Sequence, residues 1–213
     1  MNPPTELSAL KLITRLKRAP SEHKGSAGKV LLIGGAPGMA GALMLSGSAA
    51  LHLGAGWTIL EMLDPASAKA YPESPELMIR LASTQIDDVL RITKPDVIAI
   101  GPGLGKSALA STLLIGVLQH PNIPLVIDAD ALNLIAESQD LLSALQNRNQ
   151  QFPDQVVLTP HPGEAAKLLG IATENVQSDR LATLEHLIAL TQCIVVLKGQ
   201  HTLIGSPKHS ALQ

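Results

Sequence analysis

The sequence predicts an α/β fold, a three-layer sandwich in which helices cover both faces of a mostly parallel sheet. Two observations predict it. Short apolar runs rich in β-branched residues alternate with longer stretches of helical period, and each apolar run ends in a turn bearing Gly, Pro or Asp. Most of these runs are continuously apolar, as strands are when both sides of the sheet are covered. The chain has 213 residues, 46% hydrophobic and 16% charged, which is enough for one sizeable core and excludes a disordered chain.

The elements follow in order. Thr5 is placed to cap an amphipathic helix reaching about Arg18, with Leu7, Leu10 and Ile13 inward and Lys11, Arg15, Lys17 and Arg18 outward. The strands are read at Lys29 to Ile33, Thr58 to Met62, Leu77 to Leu81, Val97 to Ile100, Leu125 to Ile127, Val156 to Leu158 and Ile194 to Leu197. Helices are read at Gly41 to Leu53, Ser107 to Gln119, Ser138 to Gln146, Gly163 to Leu169 and Ser178 to Leu190. The most polar stretch, Gln146 to Asp154, reads as a surface loop. Neither an internal repeat nor a low-complexity tract is present. The division is a lead-in over residues 1–22 followed by one domain over 23–213.

Composition narrows the function. Sixteen Lys and Arg against eighteen Asp and Glu leave a formal charge of −2, so no cation excess exists to neutralise a nucleic-acid backbone. Trp57, Tyr71 and Phe152 are the only aromatic residues, too few for base-stacking platforms. One cysteine, Cys193, excludes a disulfide framework and a cysteine metal site, and its apolar run suits a buried thiol. The N-terminus lacks a basic stretch leading into an apolar core, and the cytoplasm is the expected location. Residues Val30 to Leu60 carry no Asp, Glu, Lys or Arg, long enough to cross a bilayer, but five glycines and Pro37 between Ala36 and Leu60 break the stretch into strand, turn, helix and strand.

In an open parallel sheet, ligands sit beyond the carboxyl ends of the strands. The segments there are Gly34-Gly-Ala-Pro-Gly-Met-Ala-Gly41, Gly101-Pro-Gly-Leu-Gly105, Asp128-Ala-Asp130, Thr159-Pro-His-Pro-Gly-Glu164 and Lys198-Gly-Gln-His-Thr202. The glycine-rich segments are either phosphate cradles or merely tight strand-to-helix turns. Gly101 to Ser107 is one residue short of a P-loop, and Lys106 stands where a dinucleotide fingerprint needs its last glycine. Asp128 reads as a site carboxylate and Asp130 as a cap for the helix that begins at Ala131. His161 and Glu164 are too few for a zinc site, so the imidazole reads either as a hydrogen-bonding partner for a ligand or as a turn histidine. Lys198 and Thr202 flank the turn of a small hairpin, where the cation and hydroxyl either suit a nucleotide phosphate or leave Lys198 as an exposed hairpin lysine.

His23-Lys-Gly25, Lys29-Val-Leu-Leu-Ile-Gly-Gly35, Gly101-Pro-Gly-Leu-Gly105, Asp128-Ala-Asp-Ala-Leu-Asn133, Thr159-Pro-His-Pro-Gly-Glu164 and Leu197-Lys-Gly199 with Thr202, in this order, resemble the ADP- or ATP-dependent NAD(P)H-hydrate dehydratases of ribokinase-like fold. The resemblance runs from about His23 to Gly205. It implies a hydro-lyase that repairs a damaged cofactor: NADH or NADPH hydrate returns to NAD(P)H while ADP gives AMP and phosphate, or ATP serves instead. It also implies Mg²⁺, small nucleotides as partners, and a homo-oligomer, commonly a tetramer. By the resemblance, Ala42, Gly105 and His161 contact the substrate, and Lys198, Gly199, Gln200, His201 and Thr202 hold the AMP part. Gly41, Asp128 and Asn133 support the substrate, and Glu164 acts on Mg²⁺ through water. The family continues to a Gly-x-Gly-Asp turn whose Asp is the base, whereas no Asp follows a Gly in this chain. No catalytic base is therefore assigned. The expectation is a C-terminally truncated domain with an under-covered sheet face and catalysis in doubt. The rivals are a ribokinase-like kinase of a vitamin-precursor alcohol and a non-catalytic nucleotide-binding remnant.

Overall fold

The computed structural model describes residues 6, 10–14, 25–120 and 122–212. Its elements are α1 (Leu10–Ile13), β1 (Lys29–Gly34), α2 (Ala40–His52), β2 (Trp57–Met62), β3 (Met78–Leu81), α3 (Ile86–Thr93), β4 (Val97–Ile100), α4 (Ala108–Gln119) and β5 (Leu125–Ile127). They continue with α5 (Ala129–Glu137), α6 (Gln139–Gln151), β6 (Val156–Leu158), α7 (Pro162–Leu169), α8 (Thr173–Ser178), α9 (Arg180–Thr191), β7 (Ile194–Leu197), β8 (Leu203–Ser206) and β9 (His209–Leu212). All seven strands read from the apolar runs are present, three of them with one end shifted by a residue. The nine strands lie in the order β3-β2-β1-β4-β5-β6-β7-β8-β9, parallel from β3 to β7 and antiparallel in the last two pairings.

The order reverses at β1, which pairs with β2 on one side and β4 on the other. A chain that leaves neighbouring strands in opposite directions must send its helices to opposite faces, and a crevice opens between the two carboxyl ends. Accordingly α2 packs on one face through Leu43, against Leu32, Leu60, Met62 and Leu77. Residues of α3 to α9 share the larger cluster on the other face, where Leu31, Ile33, Ile98, Ile100, Leu125, Ile127, Val156, Leu158, Val195 and Leu197 are buried. Each such side chain, fully removed from water, contributes about 1.5–3 kcal/mol. The α2 face carries a row in register, Leu32, Ala99, Val126, Val157 and Ile194. Leu32, beneath α2, is buried, and the other four are only half-buried. At the amino edge of the sheet, Trp57 opens β2 with the Lys29 ammonium 5.1 Å from its ring centroid.

Three expectations change. Leu10 and Ile13 are 76% and 54% exposed instead of facing inward, since a periodic apolar pattern is buried only where a surface lies beneath it. The rest of that expected helix, with Thr5, Leu7, Arg15, Lys17 and Arg18, lies outside the described residues, as does His23. The expected surface loop from Gln146 is the second half of α6, and Arg148 and Asn149 within it are 4% exposed. Polarity there serves buried hydrogen bonds: Arg148 donates to the carbonyls of Val117, Leu118, His120 and Ile123, the last at 2.5 Å, and Asn149 donates to Thr191 O at 3.0 Å. Finally, α5 is capped by Asp128 and not by Asp130, because Ala129 adopts a left-handed conformation (φ 49°) that starts the helix two residues earlier.

Candidate functional site

The loops after β1 and β4 form the first half of the site. Gly35 N–H donates to Pro102 O at 3.0 Å and Ala36 N–H to Gly103 O at 2.6 Å, so the two glycine segments lie against each other. Their closeness explains the residue type. A Cβ at Gly34 would sit 2.1 Å from Pro102 O, and one at Gly101, whose φ is 132°, would sit 1.8 Å from Asp128 O. The Gly35 amide is consumed in this packing and the Gly101 amide donates to Ile33 O at 3.1 Å, which departs from a simple phosphate cradle. The Gly105 N–H is also taken, donating to Asp130 Oδ2 at 2.9 Å, so Gly105 can offer a ligand close backbone approach but no donor. Gly41 and Ala42 open α2 on the exposed side of this pair of loops, where Met39 caps the helix without a side-chain acceptor and no acidic residue stands in the first turn. That end is compatible with an anion.

The second half gathers around Lys198. Its Nζ lies 2.8 Å from Asp128 Oδ1 and 4.0 Å from Glu164 Oε2, and its N–H donates to Pro160 O at 2.8 Å. Asp128 Oδ1 also accepts from Ala129 N–H at 2.8 Å. The left-handed Ala129 therefore separates two carboxylates with different partners: Asp128 holds the Lys198 ammonium, and Asp130 holds the Gly105 loop. Asn133, one turn into α5, accepts from Lys167 Nζ at 2.7 Å and donates to Ala129 O at 3.3 Å.

His161 caps α7. Its Nδ1 accepts from the N–H groups of Gly163 (2.9 Å) and Glu164 (3.3 Å), while Glu164 Oε2 accepts from His161 N–H at 2.8 Å, a reciprocal capping box with His in the role usually held by Ser or Thr. An accepting Nδ1 places the proton on Nε2, which lies 3.3 Å from Glu164 Oε1. The imidazole is 56% exposed at the carboxyl edge of the sheet and Glu164 is 5% exposed beneath it.

Gly199, Gln200, His201 and Thr202 form the turn after β7, where Thr202 Oγ1 donates to Gly199 O at 3.3 Å. Arg180, which the sequence reading did not single out, reaches this turn from the start of α9. Its guanidinium donates to Leu197 O, Lys198 O and His201 O at 3.0, 3.3 and 3.0 Å. Nothing in the local sequence marks it, since the contact spans about twenty residues and two elements.

The structure thus brings all the sequence-nominated residues to one edge and links them through Gly105, Asp130, Asp128, Lys198, Glu164 and His161. Ala42 joins this line through the Gly103 backbone, where an added Cβ would lie 3.3 Å from that of Ala42. Among the described residues no group of three or more His, Cys, Asp or Glu could hold a metal ion. Asp128 and Glu164 are both engaged by Lys198, so a divalent cation at this edge would need phosphate oxygens and water to complete its shell, the usual manner of Mg²⁺.

A family profile described as NAD(P)H-hydrate dehydratase matches residues 30–212. The bifunctional NAD(P)H-hydrate repair enzyme of Coxiella burnetii is 43% identical over 188 residues, covering 88% of this chain and 36% of that protein. The ADP-dependent (S)-NAD(P)H-hydrate dehydratase of Neisseria meningitidis is 37% identical over 196 residues, covering 89% of this chain and 62% of that protein. The chain therefore spans about a third of the first relative and under two thirds of the second. The crystal structure of the ADP/ATP-dependent NAD(P)H-hydrate dehydratase of Bacillus subtilis, co-crystallised with ATP and Mg²⁺, superposes with a TM-score of 0.75 at 27% identity, covering 100% of this chain and 72% of that one.

Proposed function

The chain belongs to the NAD(P)H-hydrate dehydratase family, and from that membership we propose that its carboxyl-edge crevice holds ADP or ATP beside NADH or NADPH hydrate for the dehydration that restores NAD(P)H. The observation that carries this reading is a pair of contact chains that meet at the Asp128-Ala129-Asp130 backbone, one from Asp130 to the Gly105 loop and one from Asp128 through Lys198 to Glu164 and His161. It brings the residues matched to the two ligands side by side, and proximity is the main requirement for phosphoryl transfer.

In this reading a phosphoryl group passes from the nucleotide to the hydroxyl of the hydrated nicotinamide ring and then leaves as phosphate, assisted by the ring nitrogen. Lys198, held by Asp128, presents an ammonium to the nucleotide phosphates, and the turn from Gly199 to Thr202 holds the AMP part. His161 stands exposed at the crevice with Nε2–H as a donor, and the uncapped start of α2 at Gly41 and Ala42 faces the hydrated dinucleotide together with Gly105. Asn133, tied to Lys167, braces α5 behind them. Bound Mg²⁺ would neutralise phosphate charge, with Asp128 and Glu164 as the carboxylates facing it through water. The general base is assigned to none of the 213 residues, as no Gly-Asp pair stands among them.

The reading extends to one domain over residues 23–213 after a lead-in over 1–22, working on small nucleotides in the cytoplasm as a homo-oligomer. No helix among the described residues is long and apolar enough to cross a membrane. The test combines calorimetric titration of the chain with ADP and with NADPH hydrate, and incubation with both. Binding of both ligands and recovery of NADPH with matching AMP is the expected result. Binding without turnover supports a non-catalytic remnant, a stable phosphorylated alcohol supports the kinase, and binding of neither ligand refutes the assignment.

A further inference from the structure

The Lys198 to Thr202 turn is one-sided in its hydrogen bonding. The Arg180 guanidinium takes the carbonyls of Leu197, Lys198 and His201. The N–H groups of Gly199, Gln200, His201 and Thr202 have no acceptor among the described residues. Space for the guanidinium exists only because position 199 is glycine: an added Cβ would lie 2.6 to 2.8 Å from Arg180 Nη1, Cζ and Nη2.

We infer that Arg180 is a positioning residue for the nucleotide: by gathering three carbonyls of one short turn onto a planar cation, it leaves the turn's amide edge as a donor set for the adenine nucleotide. The inference rests on the nucleotide-binding reading above. A guanidinium suits the task because its fixed fork of five donors can serve three carbonyls at once, which a lysine ammonium on a flexible stem does less well. Because the turn directly follows Lys198, the same clamp fixes where the ammonium emerges beside Asp128.

The test compares wild type with Arg180→Met, Arg180→Lys and Arg180→Ala, reading the backbone amide resonances of residues 199–202 and calorimetric affinities for ADP and for NADPH. Arg180→Met is expected to shift those resonances and to weaken ADP binding about tenfold or more, with NADPH affinity held. Arg180→Lys falls between Met and wild type, and millimolar guanidinium, but not urea, restores ADP binding to Arg180→Ala. Wild-type ADP affinity in Arg180→Met, or an equal loss of both ligands, overturns the inference. Should Arg180→Met fail to fold, Arg180→Lys decides it, wild-type affinity there being the contrary result. If the wild-type chain does not bind ADP, the nucleotide reading fails separately; unmoved amide resonances then overturn the role of Arg180, and displaced ones uphold its hold on the turn.

Discussion

Lys198→Met isolates the electrostatics of the nucleotide half of the site. The ammonium stands between two carboxylates, 2.8 Å from Asp128 and 4.0 Å from Glu164, so the cluster carries one net negative charge and would carry two after the substitution. Loss of a charge-assisted contact to phosphate removes about 1.5–3 kcal/mol of binding. Each uncovered carboxylate adds a repulsion of about 3 kcal/mol at roughly 6 Å from a phosphate charge and an effective dielectric of about 20. With Lys198 and Asp128 side chains 40% and 34% exposed, solvent and salt screen most of that repulsion. The expected loss is about 3 kcal/mol, or two orders of magnitude in ADP affinity. Adenosine, which lacks phosphates, should lose little, and Asp128→Asn added to Lys198→Met should recover part of the loss. Fold stability should change by less than about 1 kcal/mol, since the ion pair is half exposed. Calorimetric titrations of both ligands at low and high salt provide the assay. ADP affinity within threefold of wild type, or equal losses for ADP and adenosine, would refute the reasoning.

Three further outcomes are expected. His161→Ala should weaken hydrate binding more than ADP binding and lower the thermal midpoint by a few degrees, because the α7 cap is worth about 1 kcal/mol; equal loss of both ligands in titration would count against the substrate role. Arg148→Met should destabilise by about 3–5 kcal/mol with unchanged m in urea, since it leaves four carbonyls of the last turn of α4 and the segment after it without their buried donor; a loss under about 1 kcal/mol would disprove that accounting. Burial pushes the Cys193 thiol up from 9.0 to about 12, so the native state keeps a proton that the unfolded chain releases. Stability should therefore fall as pH rises above 9.0, and Cys193→Ala should remove that part of the slope. Alkylation should follow unfolding, and rapid labelling of the native protein would contradict the burial.

The strands were legible because runs such as Val97 to Ile100 are apolar on both faces, a signal that needs no knowledge of the neighbours. The helix α3 was not read, although its buried Ile86, Val89, Leu90 and Thr93 stand at helical spacing, because eight residues with Asp87, Asp88 and Arg91 between them give a brief pattern. Arg148 and Asn149 misled for a different reason: their polarity answers carbonyls of α4, α9 and the following turns, which only the packed structure brings near. In the site, glycines and acids at strand ends announced the edge, but not the division of labour within it. That Asp128 and Asp130 serve opposite halves depends on one left-handed alanine, and that His161 occupies a capping position depends on Glu164 folding back onto it.

Trp57 begins β2 at the opposite edge from the crevice, about 17 Å away along a strand of six residues. A chain with a single tryptophan so placed has one emitter, seated beside Lys29 and out of contact with anything bound beyond the strand ends. Dimming of its emission when a reduced nicotinamide binds would therefore report energy transfer from one known origin. Proximity between the dinucleotide and the sheet then becomes measurable in solution, without a label and without altering any residue of the crevice.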